Sequence, residues 1–188
     1  VYLITISENY PERYWLDCDA KKFPDPLLLR TGQRVEEVQF SHLCFKVDPK
    51  VSIERILKYD YLFSGYGIDI ISEKLAAILM ASNKKAVQLI PTKIKQKETE
   101  YDGFYIINYL ILRRAFDREK STCKPLLEVM PNGPKKFTKI VLLPSEKGEA
   151  IFRAEEDFTK IVVTDSLAEK IHKAGIKGIE LVKEEARF

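Results

Sequence analysis

Two stretches of this chain carry one strand–helix–strand pattern at a fixed separation, and that limits the fold more than any other feature. Residues 70–90 align with 162–182 at a constant offset of 92, without a gap. Ile70-Ile71-Ser72-Glu73 matches Val162-Val163-Thr164-Asp165, and Leu75-Ala76 matches Leu167-Ala168. Val87-Gln88-Leu89-Ile90 matches Ile179-Glu180-Leu181-Val182. Only four of the 21 pairs are identical, so the weight rests on role. In each copy an apolar strand, a hydroxyl residue able to cap a helix, an apolar helix face, a stop and a second strand recur in register. The pattern is read as an internal duplication. It predicts an α+β fold with mixed sheets, in which two related strand–helix–strand units share one compact body.

Ser72 and Thr164 are the expected N-caps of helices from about Glu73 to Ser82 and Asp165 to Ala174. Asn83 and Gly175 are the expected stops, in the left-handed conformation. Around these units, strands are expected at residues 1–6, 38–45, 104–112, 140–143 and 151–153, from their alternating or continuous apolar runs. Pro91 is expected to close the strand that begins at Val87. Asp48-Pro49 predicts a short helix over Val51 to Leu57. Phe23-Pro24-Asp25-Pro26 and Pro131-Asn132-Gly133-Pro134 read as breaks and turns. A chain of 188 residues suits one domain over 1–188, or two close lobes over 1–98 and 99–188.

Charge narrows the function classes. Thirty-one Lys and Arg face 28 Asp and Glu, a net charge of +3, and the two signs are interleaved. A nucleic-acid partner is therefore not expected, since such a partner calls for a basic stripe. The basic runs Lys93 to Lys97 and Lys135-Lys136 read as solvated loops. Cys18, Cys44 and Cys123 are odd in number and widely spaced, which fits reduced thiols better than a disulfide framework or a zinc site. No run reaches the ~20 apolar residues of a membrane span, and no targeting segment is visible. A cytoplasmic protein without a cofactor is the expectation.

No catalytic or metal-binding residue stands out. His42 and His172 have no metal-site spacing around them, and Gly65-Tyr66-Gly67 lacks the further residues of a phosphate loop. Asp117-Arg118-Glu119-Lys120-Ser121 reads as a turn whose Asp accepts backbone N–H groups. The aromatic run Tyr59-Asp60-Tyr61-Leu62-Phe63-Ser64-Gly65-Tyr66-Gly67 holds the candidate partner-binding residues: Tyr59, Asp60, Tyr61 and Tyr66. In an extended chain Tyr59, Tyr61 and Phe63 would share a face, with Asp60 opposite. Such a face is either core or a protein-binding edge, where Tyr is enriched.

Seven segments between Ser64 and Val182 carry a family resemblance. They are Gly67-Ile68-Asp69-Ile70-Ile71-Ser72-Glu73-Lys74-Leu75, Val87-Gln88-Leu89-Ile90-Pro91, Tyr105-Ile106-Ile107-Asn108, Asp117-Arg118-Glu119-Lys120-Ser121, Lys139-Ile140-Val141-Leu142, Ile151-Phe152-Arg153 and the unit from Thr164 to Val182. In order and spacing the chain resembles immunity protein family eleven of bacterial polymorphic-toxin systems. The first sixty residues match it weakly. The resemblance implies a protein that binds and neutralises a cognate toxin domain encoded nearby, with no catalytic residues to carry over. A small hydrolase or a nucleic-acid-binding module is the alternative. An enzyme would need a deep pocket with convergent polar groups and shifted pKa values.

Overall fold

The structure, a computed structural model, describes residues 1–18, 24–130, 133, 135–145 and 149–186. Along the chain run β1 (Tyr2–Ile6), β2 (Cys44–Lys46), α1 (Ile53–Ile56), β3 (Tyr61–Phe63), β4 (Asp69–Ser72), α2 (Glu73–Asn83), β5 (Val87–Gln96), β6 (Thr99–Tyr109) and β7 (Leu112–Arg113). They are followed by β8 (Thr122–Pro125), β9 (Lys135–Val141), β10 (Ile151–Ala154), β11 (Ile161–Val163), α3 (Asp165–Lys173), β12 (Ile179–Val182) and β13 (Glu184–Ala186). The fold is α+β. One sheet has the order β2-β5-β6-β4-β3, a second β12-β1-β11-β10-β7, and a small third β13-β9-β8.

Residues 70–90 and 162–182 each form strand, helix and strand, and their pairing coincides position by position. β4 and β5 flank β6 and run antiparallel to it. β11 and β12 flank β1 in the same way. Ile71 lies between Tyr61 and Tyr105, as Val163 lies between Ile151 and Tyr2. Leu89 faces Ile107, and Leu181 faces Ile4. The unit β3-β4-α2-β5-β6 thus has its counterpart in β10-β11-α3-β12 completed by β1. In the first unit the inserted strand follows by a hairpin. In the second it arrives from the other end of the chain.

The strands of each unit are apolar on both faces because both faces are covered. Leu75, Ala76 and Leu79 of α2 and Leu167, Ala168 and Ile171 of α3 share one core with Ile71, Val87 and Ile107 of the first sheet and Ile151, Val163 and Ile179 of the second. Each large side chain so buried contributes roughly 1.5–3 kcal/mol. On the other face of the first sheet, Ile70, Ile90 and Ile106 meet Leu16, Phe40, Phe45 and Ile56 from the N-terminal segment. On the other face of the second, Leu3, Phe152 and Val162 meet Ala115, Phe116 and Ile140.

Several expectations give way to tertiary pairing. The strand expected over 38–45 is a 3-10 turn at Glu37–Gln39 and only Cys44–Lys46 as strand, because Phe40 and Leu43 turn inward as buried anchors instead of alternating. Pro91 does not close β5. β2 covers the outer edge of β5 only at Lys93–Lys95, so a residue without N–H is tolerated before it. Lys93 to Glu100 is no loop but the tip of the β5–β6 hairpin, with Lys97 at φ 55 in the turn. The expected lobe boundary at 98/99 falls in that tip. Lys135-Lys136 lies in β9. Asn83 ends α2 without a left-handed φ, and Lys84 is the C-cap at φ −61. Gly175 does end α3 in the left-handed region, at φ 61. Ser72 caps α2 by accepting from the Leu75 N–H at 3.3 Å, while Thr164 holds the equivalent place without a side-chain cap. Apart from Gly133, the expected turn at 131–134 lies outside the described residues, as does Phe23. No helix among the described residues is long and apolar enough to cross a membrane.

Candidate functional site

The four residues expected to meet a partner divide into two buried and two half-buried. Asp60 is 7% and Tyr61 2% exposed, so neither offers its side chain to a partner. The Asp60 carboxylate accepts the Lys177 backbone N–H at 3.0 Å and the Ser72 hydroxyl at 2.8 Å, while its carbonyl accepts the Ser72 N–H at 2.9 Å. It thereby ties the start of β3 to the head of α2 and to the turn before β12. The Tyr61 hydroxyl meets the Tyr109 hydroxyl at 2.8 Å in the shared core. Tyr59 and Tyr66 are half-buried. Tyr59 packs edge-on against Tyr10 and Tyr14, with ring centroids 5.5 and 5.0 Å away. Tyr61 and Phe63 do share a face, at 5.1 Å. Tyr59 precedes the strand and joins the N-terminal core instead.

Beside Tyr61 lies a cavity of about 480 Å³ where the two related units meet. Tyr61 and Phe63 of β3, Gly67 and Asp69 form one wall, with Ile4 to Ile6 of β1 and Arg153, Thr159, Lys160 and Ile161 as the other, and Arg30 beside them. The register explains the meeting. Phe63 pairs with Asp69 across one hairpin, and Arg153 pairs with Ile161 at the equivalent place in the other. Tyr109 pairs with Val87 where its counterpart Ile6 pairs with Ile179. At these positions the units differ in polarity: Tyr61, Asp69 and Tyr109 correspond to Ile151, Ile161 and Ile6, and Phe63 corresponds to Arg153. The polar groups of the cavity are therefore departures from a pattern that is otherwise apolar.

Local structure holds each group in place. Arg30 ends a 3-10 turn, Pro26–Arg30, which Asp25 caps by accepting the Leu27 N–H at 2.9 Å. Its guanidinium lies across Gly67, where a Cβ would stand 2.5 Å from Nη2. Gly67 also has φ +68, so glycine suits it twice over. Arg153 is 6% exposed. It donates through Nη1 to the Phe158 carbonyl and through Nη2 to the Leu29 carbonyl, and its guanidinium carbon stands 5.0 Å from the centre of the Tyr109 ring. Among the described residues its Nε has no acceptor. Thr159 and Lys160 sit on a turn in which Asp157 accepts the Thr159 N–H at 2.9 Å and the Lys160 N–H at 2.9 Å.

The electrostatics of the cavity are unusual. Desolvation raises the Asp69 pKa, against the pull of Arg153, a hydrogen bond from Tyr61 and the charge of Arg30. Desolvation, followed by the Asp69 charge, pushes both phenols above their ordinary value. A carboxyl whose folded pKa exceeds the unfolded 3.8 stabilises the fold below that pH, and this contribution is lost as pH climbs through the raised value. Asp69→Asn is accordingly expected to melt above the wild type at pH 7, with the gap closing towards pH 3. Melting curves across that range check it, and a variant that melts lower at pH 7 would refute it.

A second cavity, of about 560 Å³, shares Arg30, Thr159 and Lys160 with the first and adds Lys135, Lys136, Phe137 and Leu126. At its edge Phe158 is 49% and Leu126 59% exposed. Apart from Lys135-Lys136, read as a solvated loop, none of these residues was singled out by sequence reasoning. A signal existed: Asp69 and Arg153 are lone charges inside apolar strand runs, where burial makes a charge expensive. Elsewhere, Asp117 accepts the Glu119 and Lys120 N–H groups in the expected turn. Cys18, Cys44 and Cys123 are thiols, and among the described residues no three His, Cys, Asp or Glu side chains gather as metal ligands.

Among curated proteins, none is similar enough to count as a relative of the chain. A family model does match it: that of an immunity protein family, Imm11, over residues 6–185. The match reaches back to Ile6, taking in the N-terminal segment that covers the first sheet. It spans nearly all of the 188 residues, so the chain belongs to the Imm11 immunity protein family.

Proposed function

We propose that this protein is a stoichiometric inhibitor, which binds and neutralises a toxin domain encoded beside it and protects the cell that makes both. The family match over residues 6–185 is the observation that carries this reading. On this reading the protein acts in the cytoplasm, by binding, without catalytic residues or a cofactor of its own. The interface is centred on the mouth of the charged cavity. Trp15 is 43% and Phe158 49% exposed. Trp15 packs 5.8 Å from Phe63, which lines the cavity, and Tyr66 adjoins Gly67 on its rim. Half-buried Tyr59 extends the aromatic margin. Aromatic anchors around a polar centre suit an interface of about 800 Å² per partner. Asp60 and Tyr61 support that surface from within.

An inhibitor of a lethal activity must hold its target at low concentration. A 1:1 complex with a Kd of about 1 nM or tighter, near −12 kcal/mol, is expected. Titration calorimetry against the toxin domain from the neighbouring gene measures it, and survival of cells co-expressing both proteins reports neutralisation. A chain that neither binds nor protects against that domain is not its immunity protein.

A further inference from the structure

Four large apolar side chains stand together in solvent beside the third sheet. Leu126, Leu127, Val129 and Met130 are each more than half exposed, Val129 by 87%. They lie between β8 and β9, where the Met130 N–H donates to the Leu127 carbonyl at 3.0 Å and folds them into a turn. Elsewhere among the described residues, large exposed hydrophobics occur along the chain singly or as the one pair Leu27-Leu28. A soluble chain keeps a contiguous apolar patch of this kind where a partner covers it.

The strands behind the turn carry charge that the fold does not use. β8 is the outermost strand of its sheet, with β9 beside it. Phe137 turns inward, its ring 4.9 Å from that of Phe116. The neighbouring pair, Lys124 and Lys136, sits directly opposed across the two strands and exposed. Like charges opposed in this way destabilise an antiparallel pair. Lys139, further along β9, is exposed as well. Among the described residues, none of these three lysines has a carboxylate within the 4.0 Å of an ion pair.

The chemistry of the arm limits what can cover it. Glu128 stands exposed in the middle of the apolar turn, and a carboxylate is costly in lipid, which tells against a membrane surface. A phosphate backbone would engage the lysines and leave the apolar turn in water. A second copy meeting this face by two-fold symmetry would set the lysines against their own counterparts. An apolar groove with carboxylates along its rim complements both parts of the arm. We propose that the β8–β9 arm docks its apolar turn into such a groove on the toxin domain, with aspartate and glutamate side chains of the rim facing Lys124, Lys136 and Lys139. This rests on the toxin-binding reading and extends the same interface: Leu126 and Phe158 line the second cavity, which shares Arg30 and Thr159 with the first.

Val129→Asp tests the turn by calorimetry against the toxin domain from the neighbouring gene. Binding should weaken by about 30-fold or more, with melting temperature and circular dichroism close to wild type. If that variant folds poorly, Leu127→Ala is the milder probe and should weaken binding by about tenfold. Lys124→Ala combined with Lys136→Ala tests the charge. It removes the like-charge pair, so the protein should melt no lower than wild type. Its association with the toxin should slow by about tenfold at low salt and lose much of its salt dependence. Unchanged affinity in a folded Val129→Asp or Leu127→Ala, or an association rate indifferent to the two lysines, overturns the inference while the immunity reading stands. A wild type that does not bind the toxin sinks both. Sedimentation with anionic phospholipid vesicles that Val129→Asp abolishes, with toxin affinity intact, would assign the arm to a membrane and overturn the inference too. So would a dimer in light scattering that Val129→Asp dissociates without loss of toxin affinity.

Discussion

Gly178→Ala is expected to destabilise the protein by about 3 kcal/mol or more, through strain and displacement of packed backbone. Gly178 sits at φ +109, a conformation that side-chain-bearing residues rarely adopt. A Cβ there would overlap the Tyr61 carbonyl oxygen, and it would stand 3.1 Å from the carbonyl carbon and 3.4 Å from the Tyr59 ring. The opposing atoms are mostly backbone, so no rotamer change relieves the overlap. Nor can the two segments move apart cheaply. The Lys177 carbonyl accepts the N–H groups of Asp60 and Tyr61, both at 3.0 Å, and the Gly178 carbonyl accepts the Ser7 N–H at 3.3 Å. A loss of this size should lower the melting temperature by roughly 6–12 °C in a chain of this length. Calorimetric melting reads it directly. A variant that melts with the wild type would show that the turn before β12 yields where it is described as rigid.

Asp60→Ala should cost about 3 kcal/mol, and the toxin affinity of the folded fraction should be unchanged. The carboxylate is the partner of a backbone N–H and a hydroxyl, with Lys74 at 3.7 Å as a weaker third. Hydrogen bonds to a charged group contribute roughly 1.5–3 kcal/mol each, and donors left unsatisfied carry their own penalty. Lys74 adds little, because it is half exposed and screened by solvent. Denaturant unfolding measures the stability and calorimetry the affinity. A normal unfolding midpoint with weakened binding would return Asp60 to the interface that its sequence neighbourhood suggested.

The same aromatic segment marks where reading from sequence stops. Alternation along Tyr59 to Phe63 is compatible with a core strand or a binding edge, and the difference lies in what covers it. Tyr61 is covered by Tyr109, 48 positions away, and Asp60 is engaged by Lys177, 117 positions away. No local pattern contains either partner. Pro91 and Asn83 teach the same lesson at smaller scale: their propensities are real, but an open strand edge and an ordinary C-cap removed the need to obey them.

The amino-acid sequence by itself determined the two strand–helix–strand units, their N-cap positions, the mixed α+β character and the family. These depend on hydrophobic period and on the chemistry of adjacent residues, which are local. The tertiary structure alone decided that β1 completes the second unit, and hence that a cavity forms where the two units meet. Strand pairing joins Tyr2 to Val163, and the cavity brings Arg30, Asp69 and Arg153 together from three distant segments. Which strands pair is set by the burial of whole sheet faces, a property of the assembled core and not of any one segment. For that reason the charges buried inside apolar strands were visible as anomalies in the sequence, while the site they build was not.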